Sequence, residues 1–192
     1  MDLSSNFSQL IQSIPQLSTI LERLNSSQIR YGVFAGEYVS IMTSNRPAKD
    51  VDFLVADEDF PKVKSLFTGS PEKHIAETNF LYPYGNKKIE LMTMAKYNFV
   101  DSHYSFRLTD LAWQHTTLLE GEGFSVQLCN PVDTILLKAM LQRGPSEGKH
   151  NLEDIEDLLK FVEIDKKYLN KRLLEVYADD RLRKLLKKYR LL

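Results

Sequence analysis

The sequence has a single cysteine, Cys129, in 192 residues. A disulfide framework is thereby excluded, as is any zinc site built on several thiolates. The neighbours Val126 and Leu128 mark Cys129 as a core thiol rather than a nucleophile. The four histidines, His74, His103, His115 and His150, include no pair four apart that would place two imidazoles on one helix face, and they read as structural or surface residues. No apolar run approaches the roughly 18–20 residues of a membrane span. The opening MDLSSNFSQL lacks the basic-then-apolar order of a secretion signal, so a cytoplasmic protein with no membrane partner is expected. Internal repeats and low-complexity segments are also missing.

What is present is a globular composition, 43% apolar and 27% charged, with 25 Lys+Arg against 26 Asp+Glu. This length supports one sizeable core with or without a small appendage. The charge is sorted along the chain. Residues 163–192 carry ten basic and five acidic side chains, which leaves the first 162 residues net acidic.

Periodicity predicts an α+β fold. Leu10, Ile14, Leu17, Leu21 and Leu24 recur at helical spacing, with Pro15 in the first turn of a single N-terminal helix ending near Asn25. Arg30–Phe34 reads as a strand, Ala35-Gly36 as a tight turn and Glu37–Met42 as a helix. Asp50–Val55 alternates acid and apolar residues, as a strand with one wet face does. A helix is expected over Glu58–Phe67 and two or three short strands over Lys73–Thr93, the last of them after a turn at Tyr84-Gly85-Asn86-Lys87. A hairpin joins Trp113–Leu119 to Phe124–Leu128 across Gly121 and Gly123. From Asn130 onward, with Pro131 in a first helical turn, the pattern is helical. The expected division is an α/β core with its N-terminal helix over 1–129 and a helical region over 130–192.

Three acids stand out. Asp50 and Asp52 are two apart on one predicted strand and share a face, and Glu90 follows on a later strand with Lys88 and Met92 on its side. Such closely set carboxylates call for a cation, and Mg²⁺ suits oxygen ligands shared with substrate phosphates. The plainer explanation of Asp-x-Asp alone is solvated charge on an edge strand. Context favours the metal. Fourteen residues before Asp50 lies Gly36, in a strand-turn-helix where backbone N–H groups and a helix N-terminus suit a phosphate, and Arg46 and Lys49 lie between. Tyr82, Tyr84 and Tyr97 either line a pocket near Glu90 or pack the sheet.

This arrangement resembles the DNA polymerase beta-like nucleotidyltransferase superfamily. The resemblance is carried by Val33-Phe34-Ala35-Gly36-Glu37-Tyr38, by Asn45-Arg46-Pro47-Ala48-Lys49-Asp50-Val51-Asp52-Phe53-Leu54, and by Ile89-Glu90-Leu91. Within the superfamily the chain is most similar to the abortive-infection and minimal bacterial nucleotidyltransferases, whose C-terminal pattern is echoed by Pro131…Leu136-Leu137-Lys138 and Lys149-His150-Asn151-Leu152-Glu153-Asp154-Ile155. The chain departs from the family at Ala35, where a second glycine is usual, at Glu37, where some members carry Ser or Thr, and at Glu90, where Asp is commoner.

The resemblance implies a small mixed β-sheet core with flanking helices and a C-terminal helical region. It implies transfer of a nucleoside monophosphate from an NTP to a hydroxyl, with Asp50, Asp52 and Glu90 as catalytic ligands of two Mg²⁺ ions, Mn²⁺ being a substitute. Ala35, Gly36, Arg46, Lys49 and Lys138 would bind the nucleotide, with Lys149, His150 and Asp154 in a secondary set. The acceptor is left open between RNA such as tRNA, protein and small molecule. A toxin-like role with a protein partner also fits, and RNA would be steered by the basic helix at Arg181–Arg190. The alternative is a catalytically degenerate relative that binds a nucleotide or a partner without turnover.

Overall fold

The computed structural model describes residues 2–43, 50–67, 73–76, 78–84, 87–99 and 102–192. The N-terminal segment forms two helices, α1 (Leu3–Ser13) and α2 (Gln16–Ser26), rather than the single one that periodicity predicts. Asp2 caps α1 by accepting from the Ser5 N–H, and Pro15 serves as the N-cap of α2, where its missing donor costs nothing. Phe7, Leu10, Ile14, Leu17, Leu21 and Leu24 are all buried, so both helices spend their apolar stripes on the same core.

Next come β1 (Tyr31–Val33), α3 (Ala35–Thr43) and β2 (Val51–Val55). A short 3₁₀ turn leads into α4 (Phe60–Leu66), followed by β3 (Lys73–Ala76), β4 (Asn79–Tyr84) and β5 (Lys87–Met92). The ribbon β6 (Met94–Phe99) and β7 (Ser102–Arg107) stands apart as its own two-stranded sheet, and sequence patterning did not anticipate it. Then follow α5 (Asp110–Gln114), β8 (Thr117–Gly121), β9 (Phe124–Leu128), α6 (Pro131–Leu141), α7 (Asn151–Leu158), α8 (Lys166–Glu175) and α9 (Asp180–Lys188). Trp113, expected in a strand, belongs to α5, because Thr109 accepts from the Ala112 N–H and starts a helix there.

The main sheet runs β3-β4-β5-β2-β1-β9-β8. It is mixed: β1 is antiparallel to β2 and parallel to β9, while β2 is parallel to β5. Val51, Phe53 and Val55 on β2 and Ile89 and Leu91 on β5 are essentially inaccessible. The intervening residues Asp52, Leu54, Glu90 and Met92 therefore point to the other face, and the pairing sets Asp52 opposite Glu90 and Leu54 opposite Met92. Gly32 on β1 has to lack a side chain, since a methyl group there would overlap Sγ of the buried Cys129.

Helix α6 is buried along nearly its whole length, including Asp133 and Lys138. Each of these charges has a partner brought from elsewhere. Arg172 on α8, 1% exposed, donates from Nε to Asp133 Oδ1 at 2.7 Å, and Tyr168 donates its hydroxyl to Oδ2 at 2.7 Å. The same guanidinium donates to the Arg107 carbonyl at 3.1 Å and lies over the Phe106 ring, so one side chain ties α8 to α6 and to β7. Among the described residues, no helix is long and apolar enough to cross a membrane.

Candidate active site

Because β1 and β2 are antiparallel, the end of β1 lies beside the start of β2. The Phe34 N–H donates to the Asp52 carbonyl at 3.3 Å, which fixes the turn that follows against Asp52. That turn is strained. Ala35 opens α3 with φ of +65°, a region glycine enters freely and alanine only at a cost. Gly36 has open space where a side chain would be, so its backbone is accessible to a ligand at the helix N-terminus.

On the sheet face beside this turn, Asp52 and Glu90 are direct neighbours on paired strands. Asp50 lies one residue before β2, and its Oδ1 accepts the Lys88 backbone N–H at 3.1 Å. Glu90 is held from both sides: Lys88 Nζ donates to Oε2 at 2.8 Å and Asn79 Nδ2 donates to Oε1 at 2.8 Å. Burial, then the charge of Glu90, pushes the Asp52 carboxyl up to about 6, with Asp50 adding to the rise and Lys88 and Lys138 opposing it. Burial opposes the charge on Lys88, but its bond to Glu90 and the charges of Glu90, Asp52 and Asp50 outweigh that and hold the ammonium above its ordinary range.

Glu37, only 3% exposed on the first turn of α3, adds a fourth carboxyl. Burial first, and then Asp52, raises it well above the usual carboxylate range, and its Oε2 has no hydrogen-bond partner among the described residues. That rise favours the protonated acid and so lessens the repulsion a glutamate there would exert on a phosphate. Lys138 reaches this cluster from α6. Its Nζ is paired with Asp154 Oδ2 of α7 at 2.8 Å, and its charge eases both Glu37 and Asp52.

The structure thus brings together Ala35, Gly36, Asp50, Asp52, Glu90, Lys138 and Asp154. It separates His150, which pairs with the exposed Glu153, and Lys149, which is exposed at the start of α7. Arg46 and Lys49 lie outside the described residues, as do the side chains of Tyr82, Tyr84 and Tyr97. Sequence patterning alone does not single out Asn79 and offers Lys88 only as a neighbour of Glu90.

The donor set is all carboxylate oxygen, which suits a hard divalent cation. Among the described residues, however, no three of His, Cys, Asp or Glu are placed to hold a metal as they stand. Lys88 and Asn79 explain this for Glu90, whose two oxygens they occupy. The residues therefore fit such an ion in their chemistry, with Asp52 as the anchor and Glu90 available once Lys88 leaves it.

No protein-family model matches the chain, and no curated protein matches its sequence significantly. Solved structures do match in three dimensions. The antibiotic-resistance factor ANT(2'')-Ia bound to adenylyl-2''-tobramycin superposes with a TM-score of 0.57 at 12% identity, covering 87% of this chain and 99% of that one. An antigenic nucleotidyltransferase-like protein from Paracoccidioides brasiliensis gives 0.55 at 18% identity over 94% and 88%. The lincomycin-bound lincosamide adenylyltransferase LnuA gives 0.51 at 13% identity over 78% and 98%. These likenesses, spanning most of both chains in each case, show that this protein has the DNA polymerase beta-like nucleotidyltransferase fold.

Proposed function

We propose that the protein is a metal-dependent nucleotidyltransferase that moves a nucleoside monophosphate from an NTP onto an acceptor hydroxyl. The observation that carries this reading is the Asp52–Glu90 register pair beside the open turn at Ala35-Gly36. Asp50, Asp52 and Glu90 would hold Mg²⁺, which when bound supplies neutralisation of the triphosphate and a lowered pKa for the attacking hydroxyl.

The protein's own part is positioning. Backbone N–H groups at Gly36 and the first turn of α3 receive phosphate oxygens. Glu37, its charge disfavoured by burial, repels an approaching triphosphate less than an ordinary glutamate would. Lys138, fixed by Asp154, supplies positive charge without being free to wander. Glu90 stands beside Asp52 where it can accept the acceptor's hydroxyl proton once its own oxygens are released.

The acceptor class is approached through the fold relatives and the charge pattern. ANT(2'')-Ia and LnuA were solved with an adenylylated antibiotic and with an antibiotic, which supports a small-molecule hydroxyl as the first class to test. The RNA alternative rests on α9. There Arg181 donates to the Met140 carbonyl and Arg183 to the Ala178 carbonyl, which leaves Lys184, Lys187 and Lys188 as its exposed cations, with Arg190 just past its end. The abortive-infection branch, with its toxin role and protein partner, rests on the 131–155 motif alone, and the division of the chain at 129/130 belongs to the same reading.

Incubation of the protein with each labelled NTP, Mg²⁺ and separate pools of small metabolites, RNA and protein tests the proposal. Incorporation that Asp52→Ala abolishes, with the fold intact, supports it and identifies the acceptor class. Nucleotide binding without incorporation into any pool favours the degenerate module, a reading to which the occupied oxygens of Glu90 lend support.

A further inference from the structure

Lys88 engages two of the three site acids at once. Its backbone N–H holds Asp50 Oδ1 at 3.1 Å and its ammonium holds Glu90 Oε2 at 2.8 Å. The remaining Glu90 oxygen is taken by Asn79. Paired strands lie about 4.8 Å apart, so the Asp52 and Glu90 carboxylates need a positive charge between or beside them, and the Lys88 ammonium supplies one on that strand face.

The two ends of this ion pair differ in how they are held. The Glu90 side chain is 11% exposed and fixed by Asn79, whereas the Lys88 side chain is 39% exposed and reaches in along its flexible stem. An ammonium is a mobile point charge that leaves a carboxylate without breaking a bidentate lock, as a guanidinium would have to. Lys88 is therefore built to leave, and Glu90 is built to stay.

We propose that Lys88 is a resident counter-ion of the acidic site: its ammonium occupies Glu90 in the nucleotide-free protein and competes with a divalent cation for that carboxylate. Cation loading and loss of the Lys88–Glu90 pair are then one event, and the empty site is protected from the mutual repulsion of its own acids. This rests on the nucleotidyltransferase reading above. Lys88 is a positioning residue, acting through Glu90.

Direct Mn²⁺ titration of the full chain, followed by electron paramagnetic resonance of the free ion, tests the competition. The variants are Lys88→Met, Lys88→Arg and Lys87→Met, each checked for an unchanged circular dichroism spectrum. Lys87 is the control for bulk charge: it is one residue away on the opposite strand face, and its Nζ lies near the Ser13 hydroxyl rather than near the acids. Removing a unit charge from within contact distance is expected to tighten Mn²⁺ binding roughly ten-fold in Lys88→Met, whereas Lys88→Arg, whose fork can lock Glu90 bidentately, is expected to bind Mn²⁺ more weakly than wild type, and Lys87→Met to change by less than about two-fold. Equal shifts in Lys88→Met and Lys87→Met overturn the competition while leaving the metal site standing. Failure of every variant and of the wild type to bind Mn²⁺ overturns the metal site and the competition together. If Lys88→Met does not fold, Lys88→Gln replaces it under the same criteria.

Discussion

Lys138 and Asp154 form a 2.8 Å ion pair between α6 and α7, each side chain only 9% exposed. The pair joins two helices, and the Lys138 charge also acts on Asp52 and Glu37. Removing one partner leaves a buried charge uncompensated, so Asp154→Ala should cost about 3 kcal/mol in urea unfolding. Replacing both, as Lys138→Met with Asp154→Leu, should return most of that stability. Nucleotide binding measured by calorimetry should not return with it. Recovery of both properties in the double variant would show that Lys138 serves packing alone.

The Asp52 carboxyl, at about 6 in the folded chain against an ordinary 3.8, makes stability fall as pH rises. Below about pH 4 the acid is protonated in both the folded and the unfolded chain. Between about 4 and 6 the folded state keeps a proton the unfolded state has released, so stability is lost across that window and stays lost above it. Asp52→Asn should therefore raise Tm of the metal-free protein at pH 8 and leave it nearly unchanged at pH 4, while abolishing transfer. Equal Tm gains at both pH values would refute the burial-driven shift.

Gly32 and Cys129 occupy one volume between them. Gly32→Ala should destabilise by about 2 kcal/mol through overpacking, and Cys129→Ala should cost less than that on its own. The double variant should be more stable than the sum of the two single costs, because the alanine at 32 moves into space the sulfur has left. Additive costs in thermal unfolding would place the clash with the Cys129 backbone instead.

The turn at Ala35 allows a sharper test of its backbone than of its chemistry. A β-branched residue at φ of +65° is far more strained than alanine, and Ala35→Val should lose about 2 kcal/mol or more. Ala35→Gly should be neutral or slightly stabilising and should retain nucleotide binding. A valine variant as stable as the wild type would show that the turn is not left-handed in solution.

The site was more legible in the sequence than the fold around it. Alternation at Asp50–Val55 sufficed to put Asp52 on the face opposite Val51 and Phe53, but that face is not the wet one expected, since Leu54, Glu90 and Met92 are buried on it; the turn at Ala35-Gly36 was visible from its small residues. What alternation does not carry is which strand lies beside which: Asp52 meets Glu90 across a parallel pairing that α4, β3 and β4 intervene to make. Asn79 was nevertheless within reach. β4 pairs with β5 from Tyr84 opposite Lys87, and counting outward from that pair sets Asn79 opposite Met92, on the face of Glu90. Errors came where local signals were outweighed by a stronger one nearby. The helical stripe through Leu10–Leu24 hid the break at Pro15, and the apolar run after Trp113 hid the Thr109 cap that makes α5. The β6–β7 ribbon alternates at Tyr104 and Phe106, both buried, but its pairing is with itself and left no long-range pattern to detect.

Arg172 gives the chain an order of completion during synthesis. Asp133 sits inside α6, the helix that also carries Lys138, and its two carboxylate oxygens are claimed by Arg172 and Tyr168 from thirty-five or more residues downstream. A ribosome that has released only the sheet and α6 has released a carboxylate with no partner and a helix that cannot bury it. The helix that carries Lys138 is thus completed only after α8 emerges, and a shortened chain ending before Tyr168 contains the candidate site acids Asp50, Asp52 and Glu90 beside an α6 whose Asp133 has lost both of its partners.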